Sequence, residues 1–302
     1  MTPPADPETL VASRPTVRAA LDLGAGALRE AGIADAGVDA EWLLAEALGI
    51  PRGRLVLHGQ QALEGPAAER FAQTLRRRIA REPLQHIVGT QAFRDLTLAV
   101  SAAALVPRLE TELLAGWAIE RLAGTRAPRV IDVGTGSGCL ACALAAERPD
   151  ARVIALDVSP AAAALARANV AALDLTGRVT VAVSDLFSAL APVRADLIVS
   201  NPPYLPSGLI ASLDPEVRRH DPRLALDGGP DGLDVIRRLV DAAPRWLTAD
   251  GSLVLETAGG EQVAEVVALL RARGFARVET RPDLAGIVRF VAGGISSCQP
   301  DC

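Results

Sequence analysis

The sequence is poor in aromatic residues, in cysteine and in long apolar runs. Aromatic residues make up 3% of the 302 positions, and there is a single tyrosine. Four cysteines do not make a dense disulfide framework, which fits a reducing compartment. No apolar segment is long enough to span a bilayer, and the N-terminus lacks the basic start and apolar run of a signal peptide. We therefore expect a cytoplasmic protein.

An excess of basic charge is missing as well. The formal net charge is −5 and the pI is about 5.4. A protein whose whole surface binds nucleic acid is usually basic, so this balance argues against that role, although it leaves room for a local basic patch. Half of the residues are hydrophobic and 22% are charged, as in folded globular proteins. A chain of 302 residues can hold one large domain and a small one.

The first part of the chain, residues 16–83, has helical spacing and no strand pattern. Within it, Asp39 is predicted to cap a helix that ends at Gly49, with Trp42 on the apolar side. A second helix is predicted from about Glu64 to Arg81. We interpret residues 16–83 as a small helical domain that serves in substrate docking.

The rest of the chain is predicted to be α/β. Residues 84–106 form a linker with a β-hairpin around residues 93–100. Between residues 107 and 292, strand-like apolar runs lie at 129–133, 152–156, 178–183, 195–200, 252–256, 276–280 and 287–292. Because helical stretches separate most of them, we expect a mostly parallel sheet covered on both faces, with an antiparallel pair at one end. Residues 1–15 and 293–302 are predicted to be a disordered N-terminus and a flexible tail.

A glycine-rich turn follows the first of these strands. The turn consists of Gly134, Thr135, Gly136, Ser137 and Gly138. Glycines let a ligand approach the backbone closely, and the helix that follows offers free N–H groups at its start. The spacing G-x-G-x-G differs from the dinucleotide pattern G-x-G-x-x-G, and the turn alone could be a tight connection without a ligand.

Acidic residues end the next two strands. Asp157 lies just over twenty residues beyond Gly134, where a carboxylate can accept hydrogen bonds from both ribose hydroxyls. Asp185 ends the third strand and would border an adenine ring together with its neighbour Leu186. The alternative for Asp157 is a helix cap, since a Ser159–Pro160 pair begins the next helix. The combination at neighbouring strand ends favours a nucleoside site.

The fourth strand ends in Asn201, Pro202, Pro203 and Tyr204. The Asn201 side chain and the Pro202 carbonyl are two acceptors, and Pro203 fixes the direction of that carbonyl. Two rigid acceptors can hold the two hydrogens of a planar –NH₂ group, while Tyr204 provides a flat wall. Such amide or aniline nitrogens are poor nucleophiles, so holding and aiming them contributes to catalysis. The alternative is that this segment is only a loop, in which the two prolines end the strand and bind nothing.

These segments resemble a known family. The pair VIDVGTGSG and SNPPY looks like class I S-adenosylmethionine-dependent amino-methyltransferases, among which NPPY is shared by adenine-N6 DNA methyltransferases and protein glutamine methyltransferases. Further segments at 82–89, 106–114, 220–233 and 283–286 resemble the peptide chain release factor glutamine methyltransferases of the HemK/PrmC family. The resemblance covers residues 16–292. It implies a Rossmann-like methyltransferase domain that a hairpin joins to an N-terminal helical domain.

The resemblance also implies a reaction and its participants. The protein would methylate the side-chain amide of the glutamine in the GGQ motif of bacterial class I release factors, with S-adenosylmethionine as methyl donor. The glycine turn, Asp157, Asp185, Leu186 and Asn201 would contact the cofactor. Asn201 and Pro202 would be catalytic, and the NPPY residues would form the glutamine pocket. We expect no metal, no covalent intermediate, no DNA or membrane partner, and a monomer.

Three positions depart from the family pattern, and other substrates remain open. Leu109 stands where a second proline is usual, Leu186 where some members carry a tryptophan, and Ile287–Val288 where a charged pair is frequent. These departures concern affinity more than the reaction. The alternatives are a glutamine methyltransferase for a ribosomal protein, an adenine-N6 nucleic-acid methyltransferase, and a nucleotide-binding module without catalysis.

Two smaller features have less specific interpretations. Cys139 and Cys142 lie on the helix after the glycine turn, and we interpret them as small apolar residues rather than as zinc ligands. Arg76–Arg78 and Arg81 form a basic cluster in the helical domain. Such a cluster is usually a solvated face, and our functional hypothesis for it is release-factor docking.

Overall fold

The structure, a computed structural model, describes residues 13–295, which form two compact units. The helical unit comprises the described residues up to Gly89 together with Pro215–His220. The sheet unit comprises Thr90–Asp214 and the residues from Asp221 to 295. Residues 1–12 and 296–302 lie outside the described part, and with them most of the predicted N-terminal segment and tail.

The helical unit is built from short amphipathic helices. They are α1 (Val17–Glu30), α2 (Ala36–Leu48), α3 (Leu55–His58), α4 (Gly65–Ile79) and α5 (Leu84–Val88), joined by a segment from later in the chain that contains the helical residues Pro215–His220. Thr16 caps α1, since its Oγ1 accepts a hydrogen bond of 3.2 Å from the Ala19 N–H. The core is formed by fully buried side chains, among them Leu28, Leu43, Phe71 and Leu75. No helix within residues 13–295 is long and apolar enough to cross a membrane.

Helix α2 differs from its prediction at its start and on one face. It begins at Ala36, so Asp39 is not a cap but lies in the first turn, where its buried carboxylate pairs with Arg78. Trp42 is 42% exposed and lies under the Arg52 guanidinium instead of in the core. The end of the helix is as predicted: Gly49 has the left-handed φ of +66° that glycine adopts without strain.

The sheet unit contains a hairpin and a seven-stranded sheet, which confirms the predicted fold class. The strands are β1 (Thr90–Phe93), β2 (Leu96–Ala99), β3 (Arg129–Val133), β4 (Arg152–Asp157), β5 (Val179–Val183), β6 (Ala195–Ser200), β7 (Leu247–Glu256), β8 (Arg277–Pro282) and β9 (Val288–Gly294). Strands β1 and β2 form the antiparallel hairpin. The large sheet has the order β5-β4-β3-β6-β7-β9-β8, parallel except for β9, which is antiparallel to both of its neighbours.

Helices cover both faces of this sheet. They are α6 (Leu109–Arg121), α7 (Cys139–Glu147), α8 (Pro160–Ala172), α10 (Asp234–Ala242) and α11 (Glu261–Ala272), with α9 (Pro215–His220) belonging to the helical unit. One core cluster packs α6 and α7 against the sheet, and a second packs α10 and α11 against it. The inner strands are apolar over almost their whole length because both of their faces are buried.

The strand order places a switch point between β3 and β6. From β3 the chain moves outward to β4 and β5, then returns to β6 on the other side of β3. Strands β3 and β6 are parallel and in register at Ile131 and Ile198. The segments that follow them therefore leave the same sheet edge side by side, which is where ligands bind in open α/β sheets.

Candidate active site

A cavity of about 310 Å³ lies at this edge of the sheet unit. Most of the residues that the sequence analysis selected line it. They are Gly134, Thr135, Gly136, Ser137, Asp157, Asp185, Leu186, Asn201, Pro202 and Pro203. Two selected residues do not line it: Gly138 packs behind the turn, and Tyr204 packs against the sheet core. The strand ends thus converge as the sequence pattern indicated.

The glycine turn is a backbone cradle held by the neighbouring strand. The N–H groups of Gly134 and Thr135 both donate to the carbonyl of Leu156, at 2.8 and 2.9 Å. Gly134 and Gly136 have φ values of +72° and +57°, which residues with a side chain rarely adopt. The cavity wall here is therefore main chain without side chains, which fits the close approach of a cofactor such as S-adenosylmethionine.

Asp132 holds the turn from below, and the sequence analysis did not single it out. It is fully buried, and its Oδ2 accepts hydrogen bonds from Thr135 Oγ1 at 2.5 Å and from the Ala141 N–H at 3.2 Å. Burial raises the pKa of this carboxyl to about 7, although both hydrogen bonds favour the ionised form. Asp132 thus connects the turn to the start of α7.

Asp157 has both carboxylate oxygens in use and still faces the cavity. Its Oδ2 accepts from the Gly136 N–H and its Oδ1 from the Ser159 N–H, each at 2.8 Å. Burial raises its pKa, and these two hydrogen bonds oppose the rise. The cap of α8 is Ser159, whose Oγ accepts from the Ala162 N–H. Each oxygen of Asp157 can accept a further hydrogen bond, as two ribose hydroxyls require.

The turn after β5 forms another wall of the cavity. Ser184 Oγ donates to the carbonyl of Leu186 at 2.8 Å and accepts from the Ala189 N–H at 3.1 Å. These bonds hold Leu186 at a φ of +49°, an unusual value for leucine. Asp185 lies on the exposed rim, where its carboxylate pairs with Arg238 at 2.7 Å. Leu186 can therefore offer an apolar contact, and Asp185 a polar one, to a flat ring.

The Asn201 side chain has a defined orientation. Its Nδ2 donates to Thr111 Oγ1 at 2.9 Å, which leaves Oδ1, on the other side of the amide, as the free acceptor. Just before it, Ser200 Oγ donates to the Val133 carbonyl at 2.6 Å and thereby joins the ends of β6 and β3. Pro202 is buried and has no N–H, so the main-chain group that it contributes is a carbonyl.

Thr111 and Glu256 lie behind Asn201, and the sequence analysis missed both. Thr111 Oγ1 donates to Glu256 Oε2 at 2.9 Å, and the Tyr204 hydroxyl donates to Oε1 at 3.2 Å. Glu256 is 1% exposed, and burial raises its pKa to about 7 against the effect of these two bonds. A signal for Glu256 was available, because it ends the predicted strand 252–256 and strand ends meet at this edge.

The rim carries one further pair of charges. Arg108 lines the cavity, and its Nη2 lies 3.2 Å from Oδ2 of the buried Asp221. Burial raises the pKa of Asp221 to about 6, while Arg108 acts in the opposite direction. Arg108, the residue directly before α6, thus places a positive charge at the pocket.

The basic cluster of the helical unit is not a free solvated face. Arg78 is buried and pairs with Asp39 at 2.7 Å and with Glu216 at 2.9 Å. Arg81 Nη2 donates to the other Glu216 oxygen at 2.7 Å. Arg77 likewise pairs with a glutamate. Because Arg78 is buried, the solvated-face interpretation is wrong for this residue, whereas release-factor docking by the cluster stays a prediction.

The cysteine pair lies in the interior of α7. Cys139 and Cys142 are both buried, and burial raises the pKa of both thiols. Within residues 13–295 no three His, Cys, Asp or Glu side chains are grouped as a metal ion would need. Cys298 and Cys302, the other two cysteines of the sequence, lie outside the described residues.

Comparisons with known proteins agree over most of the chain. A family model described as "PrmC N-terminal domain" matches residues 19–89, and one described as "Methyltransferase small domain" matches residues 111–210. The release factor glutamine methyltransferase of Geobacter sulfurreducens is 42% identical over 280 residues, which cover 93% of this chain and 97% of that protein. The protein of the same name from Cereibacter sphaeroides is 45% identical over 265 residues, or 88% and 93% of the two chains.

A solved structure extends the comparison of the fold. The hMettl16 catalytic domain, solved in complex with MAT2A 3′UTR hairpin 1, superposes with a TM-score of 0.55 at 18% identity. The match covers 80% of this chain and 85% of that one. At this identity the similarity concerns the fold alone.

Proposed function

Because this chain belongs to the family of release factor glutamine methyltransferases, we propose that it methylates the side-chain amide of a glutamine in the GGQ motif of bacterial class I release factors, with S-adenosylmethionine as donor. The observation that carries this proposal is the orientation of Asn201. Its amide nitrogen is bound by Thr111 at 2.9 Å, so its oxygen is the atom available to a substrate amide. Asn201 follows β6, which adjoins β3, and it lines the same cavity as the glycine turn.

The residues around the cavity fit the donor. The turn at Gly134 and Gly136 presents bare main chain, Asp157 has acceptor capacity for two ribose hydroxyls, and Leu186 offers an apolar contact for a ring. We assign the cofactor to these residues, together with Asp185 on the rim. When bound, the cofactor supplies an electrophilic methyl group on a sulfonium sulfur.

The remaining work is done by side chains and carbonyls of this chain. Asn201 Oδ1 and the Pro202 carbonyl accept hydrogen bonds from the two N–H groups of the substrate amide and hold its nitrogen in place. As methyl transfer proceeds, positive charge develops on that nitrogen, and two acceptor dipoles already in place stabilise it. The extra proton can leave after transfer, so a strong general base is not required. The role of Tyr204 as a flat wall of this pocket stays a prediction.

Transfer of labelled methyl groups tests this assignment. The purified enzyme is incubated with labelled S-adenosylmethionine and the cognate release factor, in parallel with a release factor whose GGQ glutamine is changed to alanine. We expect label on the first protein and none on the second. Ribosomal proteins and DNA serve as parallel substrates, and label on either of them in place of the release factor would overturn the proposed substrate.

A further inference from the structure

We propose that Thr111 and Glu256 are positioning residues that decide which end of the Asn201 amide faces the substrate. This inference rests on the proposed function, because it concerns the way in which Asn201 meets the substrate amide. Thr111 and Glu256 do not themselves touch the reacting atoms. Two successive hydrogen bonds link the three residues behind the pocket. They run from Asn201 Nδ2 to Thr111 Oγ1 at 2.9 Å and on to Glu256 Oε2 at 2.9 Å.

The hydrogens available on the three side chains determine which group donates in each of these two hydrogen bonds. A threonine hydroxyl has one hydrogen to donate, and the ionised Glu256 can only accept. Because the Thr111 hydroxyl already donates its hydrogen bond to Glu256, only lone pairs of Oγ1 remain for Asn201. The amide must then turn its –NH₂ toward Thr111, because the opposite orientation would place two oxygens in contact and leave a buried acceptor without a partner.

The orientation matters to the substrate for the same reason. An unmodified glutamine amide brings two N–H donors to the pocket, so it needs acceptors there. Asn201 Oδ1 is such an acceptor, whereas a flipped Asn201 would present its own –NH₂ and would repel the donor. If the Asn201 amide could rotate freely, it would also adopt this non-productive orientation. Thr111 excludes that orientation as long as its hydroxyl donates to the ionised Glu256.

The groups around Glu256 keep the ionised form accessible near neutral pH. Burial and the nearby carboxylate of Glu110 raise its pKa, while the hydrogen bonds from Thr111 and Tyr204 and the positive charge of Arg289 lower it, and the result is a pKa of about 7. When Glu256 is protonated, its own O–H can donate to Thr111 Oγ1. The hydrogen of Thr111 is then free to donate to Asn201 Oδ1, and the opposite amide orientation becomes possible. We therefore expect methyl transfer to rise as Glu256 loses its proton.

A pair of substitutions at Thr111 separates positioning from packing. Thr111→Val keeps the shape of the buried side chain but removes the hydroxyl, while Thr111→Ser keeps the hydroxyl and removes a methyl group. We expect Thr111→Val to lower kcat for methyl transfer to the release factor by about 10- to 100-fold, which is the range for a buried polar group left without its partner. Thr111→Ser should stay within about threefold of the wild type.

Glu256→Gln supplies a readout that loss of packing does not move. A glutamine side chain can either donate to Thr111 or accept from it. The direction of the hydrogen bonds from residue 256 to Asn201 is then not fixed at any pH. In the wild type, kcat/KM should rise through about pH 7 as Glu256 ionises. In Glu256→Gln that rise should disappear and kcat should stay low. For each variant, cofactor binding is measured by calorimetry and folding by thermal unfolding. If Glu256→Gln does not fold, the comparison of Thr111→Val with Thr111→Ser still tests the proposal.

The outcomes distinguish this inference from the function on which it rests. A wild type that labels the release factor, with Thr111→Val impaired and Thr111→Ser active, supports both. A wild type that labels the release factor, with Thr111→Val as active as Thr111→Ser, overturns the positioning role and leaves the function intact. Failure of the wild type to label the release factor overturns the proposed function, and the inference with it.

Discussion

The guanidinium of Arg78 donates from Nε to Oδ2 of Asp39 at 2.7 Å, and the two side chains are 9% and 10% exposed. Arg78 also donates to Glu216 at 2.9 Å and to the carbonyl of Glu82 at 3.1 Å. One arginine thus connects α2, the chain after α4, and the Pro215–His220 segment inside the helical unit. Charges this deeply buried require their partners, so the pair specifies how these elements meet.

Removal of one charge from this group should destabilise the helical unit. We expect Arg78→Met to lower its unfolding free energy by about 3–5 kcal/mol, since Asp39 would remain buried without a counter-ion and Glu216 would keep only Arg81. Hydrogen exchange of the helical amides measures this directly. The matched control is Arg29→Met at an exposed position of α1, where a change within about 0.5 kcal/mol is expected. Equal effects at the two positions would contradict the role of Arg78.

Two glycines of α1 should respond in opposite ways to the same substitution. A Cβ at Gly24 would lie 2.8 Å from Cζ of the fully buried Phe71, whereas a Cβ at Gly26 would have nothing within 4 Å. Gly24→Ala should therefore destabilise the helical unit by about 1–3 kcal/mol. Gly26→Ala should stabilise it by about 0.4–1 kcal/mol, because alanine restricts the unfolded chain. Exchange protection in α1 decides the matter, and two changes of the same sign would refute the packing of α1 against Phe71.

The glycine turn should not tolerate a side chain at Gly138. Its φ is +83°, and a Cβ there would lie 3.2 Å from Cβ and 3.3 Å from Cα of Ala166 on α8. We expect Gly138→Ala to cost about 1–3 kcal/mol of stability and to weaken cofactor binding, since the turn and the start of α7 must shift. Gly177→Ala, at an exposed turn with open space around its Cβ, is the control. Calorimetric titration with S-adenosylmethionine measures the binding, and an unchanged affinity in Gly138→Ala would show that the turn does not shape the site.

Stability should fall as the pH rises toward neutrality, in part because of Glu256. Its pKa is raised from 4.5 to about 7 in the folded protein, so between these values the folded state holds a proton that the unfolded chain has released. This stabilisation is complete below about pH 4.5 and is lost by about pH 7, a difference of about 3 kcal/mol. Glu256→Gln removes the titration, so its unfolding free energy should fall less than that of the wild type between pH 5 and pH 7.5. Urea unfolding at the two pH values makes the comparison, and parallel curves would contradict the raised pKa.

The sheet and the strand ends could be predicted from the sequence because both signals are local. Buried parallel strands are continuous apolar runs, and the strand boundaries at 129–133 and 195–200 agree with the structure. The cradle of Gly134 and Gly136 and the position of Asp157 follow from the same topology. The roles of individual polar side chains were harder to predict, since they depend on partners far along the chain.

Asp39 and Thr111 illustrate the limit. Asp39 has the residue type of a helix cap, but it pairs with Arg78, 39 positions later. Thr111 lies inside a motif that carried the family resemblance, yet its partner Glu256 is 145 positions away. Only the packed sheet brings such pairs together. Glu256 itself could have been found by applying the strand-end rule to β7 as it was applied to β3, β4, β5 and β6.

If Asn201 holds the substrate amide, the Asn201→Ala variant should lose methyl transfer and keep the cofactor. Single-turnover methyl transfer to the release factor is measured alongside the affinity for S-adenosylmethionine. We predict a fall in the transfer rate of about 100-fold or more, with cofactor affinity within about tenfold of the wild type, because the lost acceptor acts on the reacting nitrogen. A transfer rate equal to that of the wild type would show that Asn201 does not hold the substrate amide.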